Sequence, residues 1–186
     1  MAERPLDRDF FARESLVVAP ELLGKVLVAG ECAGRIVEVE AYRSDDPASH
    51  TFGGRTMRNA VMFGPAGHLY VYFTYGMHHC ANVVTGSDGD GQAVLLRAVQ
   101  PLRGIEQMSA RRGGRAALAD GPGKLCQAFG IDRRHDGTDL CAGGAVAIVD
   151  DGVPPPADAV ITPRIGITRA VDQPWRWLIP RSQWSQ

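Results

Sequence analysis

Apolar and polar positions alternate along several stretches of this chain, and that two-residue period predicts strands. Lys25–Ala29 and Arg35–Tyr42 read as a hairpin joined by a turn over Glu31–Gly34. Gly67–Thr85 reads as a second hairpin, with Tyr75-Gly76-Met77 at its tip, and Gln92–Val99 as a further apolar strand. Ala145–Val149, Val160–Ile167 and Trp175–Ile179 read as late strands. Helical patterning is short: an amphipathic segment over Pro5–Ala12, a helix over Pro20–Leu23 closed by Gly24, and two more over Gly104–Arg112 and Gly123–Phe129. Residues 43–59 are polar and Gly-containing with no period, and a loop of that length inside a compact domain usually carries function. Pro154-Pro155-Pro156 marks a stiff surface connection. Strands and helices do not alternate regularly, so the expected class is α+β with a mainly antiparallel sheet.

Composition narrows this picture. The 186 residues suit one domain, 1–186, with a real core. With 45% hydrophobic and 22% charged residues, the chain has the make-up of a globular protein, not a disordered one. Met1–Arg8 is polar and no apolar run follows it, so no secretory signal is expected. No apolar run approaches the roughly 18 residues of a membrane span. Cys32, Cys80, Cys126 and Cys141 are widely spaced, as buried free thiols in a reducing compartment would be. The expected location is the cytoplasm, with no membrane partner. A net charge of −1 runs against a general nucleic-acid binder. The charge is uneven, however: residues 97–134 hold eight Arg or Lys against three acids. Such a segment is either a phosphate footprint or a solvated helix face.

On the strand Arg35–Tyr42, alternation puts Ile36, Glu38, Glu40 and Tyr42 on one face and Arg35, Val37, Val39 and Ala41 on the other. The second set can pack a core. The first sets two carboxylates beside an aromatic ring, which is a solvated charged face or a general base next to a platform for a bound ring. Tyr70 and Tyr72 likewise share a face, opposite Val71 and Phe73. Tyr75 before Gly76 at a hairpin tip is a bulky group of the kind that enters a base stack. His50, His68, His78 and His79 match no zinc spacing, and no metal or nucleotide cofactor is expected.

The order and spacing of several motifs then resemble the alkyladenine (3-methyladenine) DNA glycosylase family. They are Val37-Glu38-Val39-Glu40-Ala41-Tyr42, His50, Gly53-Gly54-Arg55-Thr56, Arg58-Asn59, Met62-Phe63 and Gly67-His68-Leu69-Tyr70-Val71-Tyr72. Tyr75-Gly76-Met77, Asn82-Val83, Val94-Leu95-Leu96-Arg97-Ala98, Asp120-Gly121-Pro122-Gly123-Lys124-Leu125 and Pro163-Arg164-Ile165-Gly166-Ile167 continue the match. The resemblance implies a single α+β domain with a curved antiparallel sheet, surrounding helices and a protruding β-hairpin. It implies Glu40 as the catalytic general base, with Arg97 and the main-chain carbonyl of Ile165 helping to hold the nucleophilic water. Tyr42 would stack on one side of an extruded base, with His50 and Tyr72 on the other, and Asn82 would reject guanine. Tyr75 and Met77 would enter the duplex, and Arg55 and Lys124 would touch its backbone. The implied partner is double-stranded DNA containing damaged purines, bound by a monomer without a cofactor. Lys25 and Lys124 are the chain's two lysines, and with Lys124 on the backbone the expected reaction is hydrolysis only. His78-His79 stand where the family can carry bulkier aromatics. A hydrolase of free nucleosides and a non-catalytic module that binds damaged bases stay open beside this reading.

Overall fold

A computed structural model describes residues 4–184; the first three residues of the polar N-terminal segment and the last two of the chain lie outside it. In chain order the elements are β1 (Arg4–Pro5), α1 (Arg8–Phe11), α2 (Ser15–Leu22), β2 (Val26–Ala29), β3 (Cys32–Tyr42), β4 (Leu69–Thr74) and β5 (His78–Thr85). Then come β6 (Gln92–Arg103), α3 (Ile105–Arg111), α4 (Pro122–Phe129), β7 (Val146–Asp150), β8 (Val160–Thr162) and β9 (Arg176–Leu178). The strands form one antiparallel sheet in the order β1-β7-β2-β3-β6-β5-β4, with β9 joining β3 to β8. The fold is therefore α+β, as its pattern predicts. Among the described residues no helix is long and apolar enough to cross a membrane.

The long strand β3 organises the sheet. Its first half pairs with β2, from Cys32 to Arg35, and its second half pairs with β9, from Glu38 to Glu40. Its other edge runs along β6. Leu22, Ile36, Val39, Ala41, Leu96, Val99, Leu125 and Phe129 belong to one buried cluster that the helices close over. Gly34 is required for that closure: a Cβ there would stand 2.9 Å from Val99 Cγ2 and 3.0 Å from Phe129 Cζ. The turn expected over Glu31–Gly34 is for this reason displaced. Ala29 pairs with Cys32, so the chain reverses at Gly30-Glu31, and Gly34 lies inside the strand against Phe129.

Three further elements differ from expectation. The segment Pro5–Ala12 contributes a short strand and a single helical turn, because Asp7 caps the turn at Phe10 and the chain breaks at Ala12. The helix before Gly24 begins at Ser15, since Val18, Ala19 and Leu22 bury one face and Pro20 forgoes only one backbone bond. The strand expected over Val160–Ile167 ends at Thr162, and the next residues cross to β3 as a loop. That loop carries Arg164 and Ile165.

Three register shifts interrupt the β3–β6 pairing, and the second and third re-aim the strands. Ile36 faces Val99 and Glu38 faces Ala98, so Val37 is unmatched; Glu38 faces Ala98 and Val39 faces Leu96, so Arg97 is unmatched. Each shift moves the alternation by one residue. Ile36 consequently joins Val39 and Ala41 in the core, instead of sharing the face of Glu40 and Tyr42 as strict alternation requires.

Candidate active site

The carboxylate of Glu40 is fully buried, an arrangement that is costly unless partners compensate it. Three donors do so. Tyr42 Oη donates to Glu40 Oε2 at 2.8 Å, the Ile165 amide donates to Oε1 at 2.9 Å, and Arg97 Nη1 lies 3.3 Å from Oε2. A carboxylate has about four lone-pair positions, so one remains for a further donor. Arg97 is itself held from behind: its Nε donates to Glu38 Oε1 at 2.8 Å, and Arg176 Nε on β9 donates to the same oxygen at 2.8 Å. Glu38, which the sequence pattern leaves without a role, thus orients Arg97. Neither Glu38–Arg176 nor the β3–β9 pairing that creates it has a local signature in the sequence.

Glu40 does not line the adjoining cleft; its three partners do. The cleft, about 690 Å³, is walled by Tyr42, His50, Tyr72, Asn82, Arg97 and Ile165, which lie far apart in the sequence. Its size suits a small organic ring system. Tyr72 stacks on buried Tyr70 at 5.6 Å between ring centroids. His50 stands edge-on to Tyr72 at 4.5 Å and its Nδ1 is 3.1 Å from Tyr70 Oη. Burial, and then Arg58, lowers the His50 pKa, which favours the neutral imidazole. Burial, reinforced by the neighbouring Glu40, raises the Tyr42 phenol far above its ordinary value, so it stays a donor. Tyr72 is raised in the same direction by burial and then by Cys80. Asn82 is buried, and its side-chain amide donates to Tyr70 O at 3.2 Å, which fixes its orientation. Ile165 reaches Glu40 through its N–H, a contact the resemblance to the family does not name.

The remaining candidates stand around this centre. Tyr75 lines the mouth of the cleft and is 81% exposed; Met77 is exposed beside it. Thr74 O accepts from Met77 N across the tip, and Tyr75 and Gly76 have φ of +50° and +65°. Two successive positive φ values define the tight turn that suits strand twist, and its usual first residue is Asn, Asp or Gly. Arg55 is exposed in the loop after His50. Lys124, in the first turn of α4, pairs with Asp120 at 2.8 Å. The cationic segment 97–134 is largely engaged within the protein: Arg111 donates to Ala128 O, Arg112 to Gln127, Arg133 to Val71 O, and Arg134 pairs with Asp132.

Sequence reasoning misses one further group. Arg164 and Asp46 form an ion pair with both side chains fully buried, directly behind Tyr42. Nothing in local sequence distinguishes a buried arginine from a solvated one.

A buried, triply bonded carboxylate behind an aromatic-walled cleft is an arrangement suited to general-base chemistry on a bound ring. The sequence profile described as methylpurine-DNA glycosylase matches residues 9–183. A Burkholderia cenocepacia protein, provisionally named a 3-methyladenine DNA glycosylase, is 55% identical over 183 residues, covering 95% of this chain and 88% of its own. Proteins with the same name from Methanoculleus marisnigri and Carboxydothermus hydrogenoformans are 50% and 46% identical, and the matches cover 95% and 97% of their lengths. The chain belongs to the methylpurine-DNA glycosylase family, and it is a DNA glycosylase of the hydrolase class.

Proposed function

We propose that this enzyme draws alkylated and deaminated purines, 3-methyladenine among them, out of duplex DNA and hydrolyses their bond to deoxyribose, starting base excision repair. The observation that carries the reading is Glu40, buried behind the cleft wall with Arg97, Tyr42 and Ile165, which line the cleft, as its donors. Extruding a base costs a few kcal/mol, least for a damaged or mispaired one. Tyr75 fills the vacated space, and Met77 packs beside it. The base enters between Tyr42 on one side and His50 and Tyr72 on the other. Aromatic faces attract a cationic alkylated purine by about 0.5–2 kcal/mol. Asn82 crowds the exocyclic amino group of guanine.

Leaving-group departure builds positive charge on the sugar, as in glycoside hydrolysis. Glu40 stabilises that charge and takes a proton from the attacking water, which bonds to its remaining lone pair and to the Ile165 carbonyl, beside Arg97. The bond from sugar C1′ to the base nitrogen breaks as the bond from C1′ to water oxygen forms. Among the described residues neither lysine amine is placed for lyase chemistry: Lys25 pairs with Asp150 and Lys124 with Asp120, and neither lines the cleft. Arg55 and Lys124 contact the DNA backbone. The enzyme works as a monomer in the cytoplasm, and needs no cofactor.

Incubation with methylated, hypoxanthine-containing and ethenoadenine-containing duplexes tests this, with free base measured by chromatography. Glu40→Gln is expected to slow release by about 100-fold or more. Undiminished release would remove Glu40 as the base. Binding without release would reduce the protein to a damage-binding module, and release only from free nucleosides would move it to another substrate class.

A further inference from the structure

Resting on the assignment of Glu40 as the base, we infer that Arg164 and Asp46 are a positioning pair that fixes the Ile165 amide and the Tyr42 ring onto Glu40. Arg164 Nη2 donates to Asp46 Oδ1 at 3.0 Å, and Nη1 donates to Ala41 O at 3.0 Å as well as pairing with Asp46 Oδ2. The guanidinium lies 4.7 Å from the Tyr42 ring centroid and 4.9 Å from that of Trp175. It thus clamps the end of β3, the loop after it and the segment leading into β9. Each clamped piece supplies part of the site. Ile165, next in the chain, donates to Glu40; Tyr42 donates to Glu40; the loop beyond Asp46 continues to His50 on the cleft wall.

Two observations favour a geometric role over a purely stabilising one. A buried ion pair is often no more stabilising than apolar residues of the same volume. Moreover, Arg164 Nε is buried without an acceptor, an imperfection that a pair selected for stability alone has no reason to keep. The arginine also covers one face of Tyr42, so only the other face can receive a base. Guanidinium geometry is needed throughout: a planar fork reaches Asp46 and Ala41 O while stacking between two rings.

Loss of the pair releases two donors from Glu40 together, which changes the hydrogen bonding around the base. Facing Glu40 are Tyr42 and Glu38 on β3, Tyr72 on β4, Arg97 on β6 and the Ile165 amide, with Arg176 on β9 acting through Glu38. All of these remain in the variants that test the idea.

The experiment measures single-turnover release of 3-methyladenine from methylated duplex DNA against pH, and duplex affinity in parallel. The variants are Asp46→Asn, Arg164→Lys and the uncharged double substitution Asp46→Leu with Arg164→Met, with Glu40→Gln as control. The expected result is a rate lowered by about tenfold, a displaced acid limb of the pH–rate profile, and DNA affinity within about twofold of the parent. Circular dichroism melting identifies folded variants, and the double substitution leaves no unpaired buried charge. A folded variant with unchanged rate and acid limb overturns the inference. So does a lowered rate with the acid limb in place, because a structural staple alone would give that. If Glu40→Gln reacts like the parent, the assignment of the base fails instead.

Discussion

At the scale of single residues, the proposed chemistry depends on how one buried carboxylate is surrounded. The burial of the Glu40 carboxyl is compensated by Tyr42, Ile165 and Arg97, which donate to it. Arg97 in turn depends on Glu38, which it shares with Arg176. Glu38→Gln would leave two cations facing a neutral amide and free Arg97 to move. Base release is expected to fall by about tenfold, with the fold retained, in a single-turnover assay. An unchanged rate would mean that Glu38 does not orient Arg97. The two glutamates look alike in the sequence pattern. They differ in surroundings because Glu38 is the last residue before the third register shift, where Arg97 stands unmatched across from it.

At the scale of elements, the β4–β5 turn combines poor local chemistry with high exposure. Tyr75 takes a positive φ, where an L-residue pays about 1–2 kcal/mol that Asn largely avoids, and it packs little because it is 81% exposed. Tyr75→Asn should therefore raise stability by about 1 kcal/mol, roughly 3 °C in melting temperature. It should also lower release from duplex DNA by about tenfold, since Asn cannot fill a base-sized gap. Calorimetry and the release assay read the two effects separately, and a variant that loses stability would show that the turn is not strained. The tip and its glycine are readable in the sequence, as is the hairpin. What the tip meets is decided by the neighbouring loops.

At the scale of the whole molecule, charge is spent mostly on internal pairing. Two pairs fasten the sheet: Lys25, just before β2, with Asp150 on β7, and Arg35 on β3 with Asp151 just beyond β7. The bond from Arg35 holds the Asp151 carboxyl below its ordinary value, and the bond from Lys25 does the same for Asp150. A carboxylate depressed on folding stabilises the protein above the unfolded pKa, about 3.9, and that contribution fades as pH falls through the folded value. Asp151→Asn should cost about 1 kcal/mol or less at pH 7 and nothing once both forms are protonated, which denaturant melts at both pH values would show. A cost that persists undiminished in acid would place its origin elsewhere. Arg55, in contrast, is exposed and without an ion-pair partner among the described residues. Arg55→Ala should reduce the slope of log affinity against log salt by about 1, and a slope left unchanged would take Arg55 off the DNA backbone. The net charge of −1 and the charge run 97–134 are properties of composition, and tertiary packing turned most of that run inward or onto neighbouring acids. The same division holds for the fold and the site. The two-residue period and the glycines determined that there would be an antiparallel sheet with a Tyr-Gly hairpin tip, because those preferences act between near neighbours. The ordered motifs likewise singled out Glu40 and residues that line the cleft beside it. Only the tertiary structure placed Ile36 in the core, drew Gly34 into a strand against Phe129, and brought Arg164, Asp46, Glu38 and Arg176 to the back of the site. Those outcomes depend on register and on contacts between residues more than a hundred positions apart, such as Arg164 with Asp46, and local patterning carries no information about either.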